Sequence, residues 1–310
     1  MAVLQTGNIF PEHLMREVIS LVKDKGSIAY LSPNRPIPFN GERQLTFSME
    51  NEIAIVGEAG QKPAMGLVIG SRTIHPLKVV YQARVTNEVQ YASEDAQVEL
   101  LGGFVDGYAR KLAKGMDLMI YHGLNPYTGT VSQAIRDYFD KDVTANVVQF
   151  TQNNPDDDME DAIQLIQNGS FDVTGAAFAP AFRKALADMK TGANLNTRLY
   201  PGLAWGNGPG TINGLTCYST ANLSSHPFTA QESGTTYRYT DMALVGDFSY
   251  FRWGYTRNDA MRVIEYGDPD NTGVDLQGSN EILLRCETFL GWAIMDPTAF
   301  ALIQKKETVQ

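Results

Sequence analysis

Residues 93–123, SEDAQVELLGGFVDGYARKLAKGMDLMIYHG, form the stretch around which the rest of the chain is arranged. Apolar side chains recur there at spacings of three and four residues, which places them in one stripe along a helix: Val98, Leu101, Val105, Tyr108, Leu112, Met116 and Met119. Ser93 is a typical N-cap and Gly123 a typical stop. At about 1.5 Å per residue, the pattern predicts one helix of roughly 40 Å.

The same stretch contains glycines, each of which costs about 1 kcal/mol relative to alanine inside a helix: Gly102, Gly103, Gly107 and Gly115. We expect close approach of another backbone to compensate, with the helix lying tightly beneath a sheet. The charged side chains fall on a different face and are expected to be solvated: Glu99, Asp106, Arg110, Lys114 and Asp117.

The composition of the 310 residues is typical of a folded protein, with 43% hydrophobic and 19% charged residues. A net charge of −10 disfavours binding to nucleic-acid phosphates as the main task. No run of 18 apolar residues predicts a membrane span, and residues 1–18 do not resemble a secretion signal. Cys217 and Cys286 lie in apolar, strand-like segments, so we predict buried free thiols and a reducing compartment.

Before the long helix, the chain reads as an arm followed by a hairpin. Residues 1–42 include a short amphipathic helix from Pro11 to about Gly26 and then a proline-rich extended segment. Residues 43–85 show two alternating strand patterns separated by the turn-rich stretch from Gly57 to Gly66. We predict one long hairpin, which has edges and faces that it cannot cover by itself.

After the long helix, the pattern predicts a second section of helices and strands. One helix begins at Pro155 and ends at Asn168, and another begins at Pro180 after the strand-like FDVTGAAF. Residues 191–214 read as a long loop. Strands are predicted at residues 215–219, 243–248, 262–266 and 281–295, followed by a short C-terminal helix over TAFALI, residues 298–303.

Motifs for catalysis or for metal binding are not found. The four histidines occur in separate segments, and no phosphate-binding loop, nucleophile elbow or zinc-protease motif is present. The acidic run 156–158 is explained as charge at a helix N-terminus. The stretch from Asp268 to Gly273 imitates a calcium loop but has Ser279 where the motif needs glutamate, so we interpret it as a turn. No cofactor is predicted.

The order of these elements resembles the major capsid proteins of tailed phages. The segments that carry the resemblance are MDLMIYHG (116–123), INGLTCYST (212–220), ALVGDFSYF (243–251) and LRCETFLGWAIMDPTAFALI (284–303). The resemblance implies an α+β, Hong Kong 97-like capsid fold. Its parts would be an N-terminal arm (1–42), an extended hairpin or E-loop (43–85), a peripheral domain with the long spine helix (86–127 plus 263–296) and an axial domain (128–262 plus 297–310).

The resemblance also implies a function and partners. Copies of the chain would form pentamers and hexamers of an icosahedral shell that encloses double-stranded DNA without sequence-specific binding. The protein would be no enzyme and would be located in the virion capsid after assembly in the host cytoplasm. A portal is implied, and a separate scaffolding protein is expected because the chain begins with the arm.

The hairpin supplies the candidate contacts between subunits. Its apolar rows and the charged residues of its turn are the residues we predict to touch a neighbour: Leu45, Phe47, Met49, Glu58, Lys62, Leu77, Val79 and Tyr81. The type member of the family cross-links neighbouring subunits through a hairpin lysine and a peripheral-domain asparagine. Lys62 lies near the tip here, but the sequence around Asn280 gives no basis for transferring that chemistry.

Two other functions remain open from the sequence. An encapsulin-like bacterial nanocompartment would share the fold, although such shells usually begin with a helix rather than a proline-rich arm. A cytosolic enzyme or small-ligand binder would use the loop at residues 191–214. Neighbouring genes would distinguish a nanocompartment from a phage capsid. A stable monomer or dimer whose melting temperature shifts with a ligand would indicate the enzyme or ligand binder.

Overall fold

The computed structural model describes residues 22, 26–49, 53–58, 60–88, 94–192, 195–206, 210–258 and 262–309. The predicted helix between Pro11 and Gly26 lies mostly outside this part of the chain. Helices and strands are both abundant, as predicted for an α+β protein. Within the described ranges, no helix has the length and apolar character needed to span a membrane.

The predicted long helix is confirmed. The helices are α1 (Ser27–Leu31), α2 (Glu94–His122), α3 (Phe139–Asp142), α4 (Pro155–Asn168) and α5 (Pro180–Asp188). α2 has 29 residues and ends directly before Gly123, which adopts a positive φ of 67°. α4 and α5 each begin at the proline that the sequence indicated.

Most of the strands belong to two sheets. Their bounds are β1 (Glu42–Met49), β2 (Leu67–Ile74), β3 (Leu77–Thr86), β4 (Val147–Gln149), β5 (Gly175–Phe178), β6 (Lys190–Gly192), β7 (Leu195–Arg198), β8 (Gly210–Ile212), β9 (Leu215–Ser219), β10 (Phe228–Glu232), β11 (Thr235–Gly246), β12 (Phe251–Asn258), β13 (Arg262–Ile264), β14 (Glu281–Ile294) and β15 (Phe300–Thr308). The predicted loop at 191–214 therefore includes short strands.

The larger sheet has seven strands in the order β4-β15-β11-β5-β9-β8, with β10 also paired to β11. β14 is the centre of the smaller sheet, because β3 pairs with one of its edges while β12 and β13 pair with the other. Two short antiparallel pairs, β1–β2 and β6–β7, complete the strand pairing of the described residues.

The two larger parts of the buried core lie on opposite faces of the seven-stranded sheet. One part joins the apolar stripe of α2, including Leu112 and Met116, to β12 and β14 and to Phe300 of β15. The other lies beneath α4 and α5, where Ile166 and Phe182 pack on β5 and β11. α2 therefore packs against both sheets and links them.

The proline-rich segment before β1 is extended, as predicted. The amides of Arg35 and Ile37 donate to the carbonyls of Trp253 and Tyr255 in β12, at 3.1 Å each. A Cβ at Gly254 would lie 1.8 Å from the Arg35 carbonyl oxygen, so only glycine allows this close approach. The segment therefore lies along β12.

The predicted hairpin of residues 43–85 is wrong in its second strand. β1 pairs with β2, from Glu42 opposite Ile74 to Met49 opposite Leu67. β3, which contains the second predicted row, instead pairs with β14 over ten residues. The hairpin therefore spans Glu42–Ile74, and the physical reason is that β14 offers β3 a long buried partner strand that β1 does not.

The predicted C-terminal helix is also wrong. Asp296 caps a single 3₁₀ turn, Pro297–Ala299, by accepting a hydrogen bond from the Thr298 amide at 2.9 Å. The chain then enters β15, in which Phe300 to Ile303 are buried on both faces of the sheet. A strand that is covered on both faces has no alternation, so its short apolar run cannot be distinguished from a helix.

Two expectations about α2 are corrected as well. Within the described chain, a Cβ added at Gly102, Gly103 or Gly107 would meet no atom within 4 Å, so no backbone of the same subunit packs closely there. Only Gly115 is near a neighbour, with Pro126 Cγ at 3.3 Å. Asp117, expected to be solvated, is completely buried.

Candidate assembly surface

The base of the β1–β2 hairpin is fixed to the rest of the subunit. Ile74, at the end of β2, is fully buried with Ile37 of the extended segment and Ala293 of β14. Glu42, at the start of β1, accepts a hydrogen bond from Arg252 Nη2 at 2.7 Å, and this contact lowers the pKa of Glu42. Apolar packing and an ion pair therefore fix the base of the hairpin to the subunit.

Beyond this base, the hairpin exposes large apolar side chains. Met49 is 83% exposed, Ile53 is 93% exposed and Ile55 is fully exposed. The apolar side chains with substantial exposure in the hairpin are Leu45, Met49, Ile53, Ile55, Val56, Met65, Leu67, Val68 and Ile69. Single exposed apolar residues are ordinary, but so many in one hairpin are typical of an interaction surface.

The predicted contact residues divide into two groups. Leu45, Met49, Glu58 and Lys62 all lie in the hairpin and are exposed. Phe47 also belongs to β1, where its backbone is opposite Ile69. All five residues therefore belong to the β1–β2 hairpin.

The other three predicted contacts, Leu77, Val79 and Tyr81, belong to β3. Leu77 and Val79 are half-buried and pack against the core of their own subunit. Tyr81 is 40% exposed, and its ring centroid lies 5.8 Å from that of Phe104 and 6.4 Å from that of Tyr108 in α2. Placing them on the hairpin was an error, since their apolar row faces α2.

Sequence reasoning missed the apolar residues of β2 and of the segment before it. Leu67, Val68 and Ile69 are consecutive, so they show no alternation, and Ile53 and Ile55 lie outside any strand. The signal that could have found them is composition. An apolar segment beside the turn glycines Gly57 and Gly60 is unusual for a solvated turn.

A groove of about 600 Å³ lies between β3 and α2. Leu77, Val79, Tyr81, Tyr108 and Gly115 line it, and the turn after α2 closes one side. The described side chains of its wall include three lysines but no carboxylate and no histidine.

A buried carboxylate joins the start of the subunit to α2. Asp117 accepts hydrogen bonds from the amides of Ser27 and Ile28 at 3.4 and 3.3 Å, and so caps the N-terminus of α1. Thr220 Oγ1 and Asn222 Nδ2 donate to the same carboxylate at 3.4 and 2.9 Å. Burial raises the pKa of Asp117, although the donated hydrogen bonds oppose this rise.

The turn that imitates a calcium loop binds an arginine instead. Arg84 of β3 donates from Nε to Asp270 Oδ2 at 2.8 Å, from Nη2 to Asp268 Oδ1 at 3.0 Å and from Nη1 to Glu281 Oε2 at 3.1 Å. The hydrogen bond from Arg84 lowers the pKa of Asp270 to about 2. The acidic residues of this turn thus fix the loop onto β3.

The two cysteines are confirmed as free and buried, and burial raises the pKa of each thiol to about 12. One set of metal-ligating side chains also occurs among the described residues. His122, Asp140 and Asp241, which are far apart in sequence, place one ligand atom each within 4.8 Å of one another. No spacing pattern in the sequence indicates this set.

Three solved structures are similar to this chain over most of its length. A chain from Mycobacterium phage Ogopogo is 28% identical, with a TM-score of 0.74, and the match covers 91% of this chain and 92% of that chain. One from Gordonia phage Cozz is 21% identical, with a TM-score of 0.71 and coverages of 91% and 86%. The capsid of a native GTA particle, computed with C5 symmetry, is 13% identical, with a TM-score of 0.60 and coverages of 90% and 89%.

A comparison with curated protein sequences finds no significant match. The phage capsid family, in contrast, matches residues 6–305. This match and the similarity to phage capsid structures confirm the fold that the order of elements implied. They also support a major capsid protein, and the family implies a location in the virion capsid. The chain belongs to the phage capsid family and is a major capsid protein with the Hong Kong 97-like fold.

Proposed function

We propose that this subunit forms the icosahedral head of a tailed, double-stranded DNA phage, and that its β1–β2 hairpin lies on a neighbouring subunit. The observation that carries this proposal is the exposed apolar hairpin. Its base is packed at Ile74 and ion-paired at Glu42, while the described apolar side chains beyond the base, such as Leu45, Met49 and Ile69, are exposed within the isolated chain. A second copy of the chain is the partner that a shell always supplies.

The energy of such a contact is sufficient for assembly. Burial of apolar surface contributes about 25 cal/mol per Å², so a few hundred Å² supplies several kcal/mol before ordering costs. Glu58 and Lys62, which are both exposed near the tip, would make rim contacts. Charges at a rim set orientation and association rate more than affinity.

The sheet topology supports the proposed domains, with two strands reassigned. β15 pairs with β11 and β4, which joins residues 300–308 to the axial domain proposed for residues 128–262. β14 pairs with β3 and β12, so we assign both strands to the peripheral domain with α2. The E-loop is then the Glu42–Ile74 hairpin, and the arm precedes it.

The proposal extends to partners and place of assembly. Copies would form pentamers and hexamers, as the resemblance to tailed-phage major capsid proteins implies. The net charge of −10 supports a shell that encloses DNA without binding it tightly. A portal, a scaffolding protein and assembly in the host cytoplasm complete the proposal. The protein acts as a structural subunit and not as an enzyme.

The test replaces two exposed hairpin side chains. We expect Ile55→Asp combined with Ile69→Asp to abolish closed particles, because each carboxylate would be buried without a partner in the contact. The matched control is Ile55→Leu combined with Ile69→Leu, which keeps the apolar character. Particles are counted by negative-stain electron microscopy and size-exclusion chromatography after co-expression with the phage's other head genes.

The folding of both variants is checked by circular dichroism of the unassembled subunit. A folded Asp variant that assembles as many normal particles as the Leu control would contradict the proposed contact. Loss of particles in the Asp variant alone, with an unchanged melting temperature, would support it.

A further inference from the structure

We propose that His122, Asp140 and Asp241 form a binding site for one divalent transition-metal ion of the zinc class, which joins the end of α2 to α3 and β11. The three residues come from three separate elements. His122 is the last residue of α2, Asp140 lies in α3 and Asp241 lies in β11. One ligand atom from each lies within 4.8 Å of the other two.

The distances suit a common metal ion. His122 Nδ1 lies 2.7 Å from Asp140 Oδ2 and 3.8 Å from Asp241 Oδ2. Zinc binds histidine nitrogen and carboxylate oxygen at about 2.0–2.2 Å, so two ligands of one ion are about 3.3–3.6 Å apart in a tetrahedral site. Binding of one ion would lengthen the 2.7 Å contact and shorten the 3.8 Å contact by less than about 1 Å each.

The imidazole is oriented for metal binding through Nδ1. His122 Nε2 lies 3.0 Å from the carbonyl oxygen of Asn222. A carbonyl only accepts, so Nε2 carries a proton, and Nδ1 faces the two carboxylates. In the metal-free chain Nδ1–H donates to Asp140 Oδ2 at 2.7 Å, and a bound cation would replace that proton. Donation of the other ring N–H to a backbone carbonyl is typical of metal-binding histidines.

A hydrogen bond from a neighbouring strand orients the Asp241 carboxylate. Gln304 of β15 donates from Nε2 to Asp241 Oδ1 at 2.8 Å, which leaves Oδ2 facing His122. Asp140 Oδ1 is buried and has no hydrogen-bond partner in the described chain. An orphaned buried carboxylate oxygen is costly, and a cation removes that cost.

The site is enclosed and contains two carboxylates. The side chain of His122 is fully buried, and those of Asp140 and Asp241 are 14% and 1% exposed. Burial and the neighbouring Asp140 raise the pKa of Asp241, and a dication at this position would stabilise both carboxylates in their ionised form. One nitrogen and two oxygens favour zinc, manganese or cobalt over calcium, which takes six to eight oxygens. Water would complete the coordination.

The experiment uses the full chain without an affinity tag, freed of metal by a chelator that is then removed. We expect Zn²⁺, added as its chloride, to bind at one ion per chain by isothermal titration calorimetry and to raise the melting temperature. Asp140→Asn and Asp241→Asn keep the shape of each side chain, and each should weaken binding at least tenfold. Asp158→Asn, which alters another largely buried aspartate far from His122 in sequence, should leave binding unchanged.

A spectroscopic measurement covers the case in which the variants do not fold. Co²⁺ bound to the wild-type chain should give the visible absorption of a four-coordinate nitrogen–oxygen site, and Zn²⁺ should displace it. The proposal is overturned if the wild-type chain binds no stoichiometric Zn²⁺. It is equally overturned if binding of Zn²⁺ persists unchanged in the folded Asp140→Asn and Asp241→Asn variants.

Discussion

Strands β1 and β3 show the same alternation of apolar residues but occupy opposite environments. Leu45 and Met49 of β1 are exposed, whereas Leu77 and Val79 of β3 are half-buried against the core of the subunit. The sequence patterns alone could not distinguish the two strands. An alternating row predicts that a face will be covered, but it does not tell which chain covers it.

The difference comes from the partners of each strand. β3 pairs with β14 over ten residues, and the aromatic ring of Tyr81 contacts Phe104 and Tyr108 of α2. β1 pairs with β2, whose own side chains at Leu67 to Ile69 are exposed. The region in which β3 is covered by β14 and α2 should therefore determine the stability of the subunit. The β1–β2 hairpin should determine its assembly.

The largest effect on stability is expected at Asp117, which is fully buried in α2. Asp117→Ala removes the acceptor for three buried hydrogen-bond donors and one partly buried donor, and should lower the free energy of unfolding by about 3 kcal/mol. Chemical denaturation of the unassembled subunit measures this loss. Asp106→Ala on the same helix is the control, since its exposed pair with Arg110 is worth only about 0.5 kcal/mol.

The pH dependence sharpens the same prediction. Burial raises the pKa of Asp117, so the folded state binds its proton more tightly than the unfolded state does. The stability from this group is complete below the unfolded pKa of about 4 and is lost as the pH rises through the folded pKa. The cost of Asp117→Asn should therefore be larger at pH 4 than at pH 8. A cost that grows with pH would contradict this assignment.

The next effect is expected in β3. Val79→Ser should lower the free energy of unfolding by about 1–2 kcal/mol, because a half-buried apolar group is replaced by a hydroxyl. Val80 provides a matched control, as it is the adjacent valine and is 47% exposed. Equal losses for Val79→Ser and Val80→Ser would break the distinction between the covered β3 row and the exposed hairpin.

A smaller effect, of opposite sign, is expected in the first half of α2. Gly103→Ala should raise the free energy of unfolding of the unassembled subunit by up to about 1 kcal/mol, since the new methyl group meets no atom within 4 Å. Gly115→Ala should stabilise less, because its Cβ would lie 3.3 Å from Pro126 Cγ. Thermal melts of both variants measure these changes. A loss of stability for Gly103→Ala would instead support the sequence-based prediction that another backbone packs closely against these glycines.

The smallest effect on stability is expected at the hairpin tip. Replacement of residues 57–66 by a two-residue turn should change the free energy of unfolding by less than about 0.5 kcal/mol, because the side chains there are mostly exposed. Closed particles should nevertheless be lost or misformed. A shortened chain that does not fold, observed by circular dichroism, would place the hairpin in the core of its own subunit.

The helices were predictable because their signals are local. The periodic stripe of α2 and the prolines that begin α4 and α5 depend only on neighbouring residues, and each element begins within a residue or so of its predicted position. β15 was not predictable in the same way. Its conformation depends on insertion between β4 and β11, which are distant in the sequence.

The candidate site residues also differ in whether a local sequence pattern reveals them. Leu45 and Met49 were found because alternation marks a strand, while Ile53 and Ile55 have no pattern to reveal them. The His122, Asp140 and Asp241 set depends on a fold that brings together residues up to 119 positions apart (241 − 122), so no spacing rule could identify it. Asp117 was predicted to be solvated because its hydrogen-bond donors lie far away in the sequence, in α1 and near Thr220.

The position of β15 has a consequence for protein synthesis. β15 covers one whole edge of β11 and also pairs with β4, yet the ribosome makes it 54 residues after β11 ends (300 − 246). At about 5–20 residues per second, that edge waits roughly 3–10 seconds for its partner. An open edge can pair with another chain. The nascent subunit therefore completes its main sheet only after β14 and β15 have emerged, and subunits on one polysome are exposed to mispairing until then.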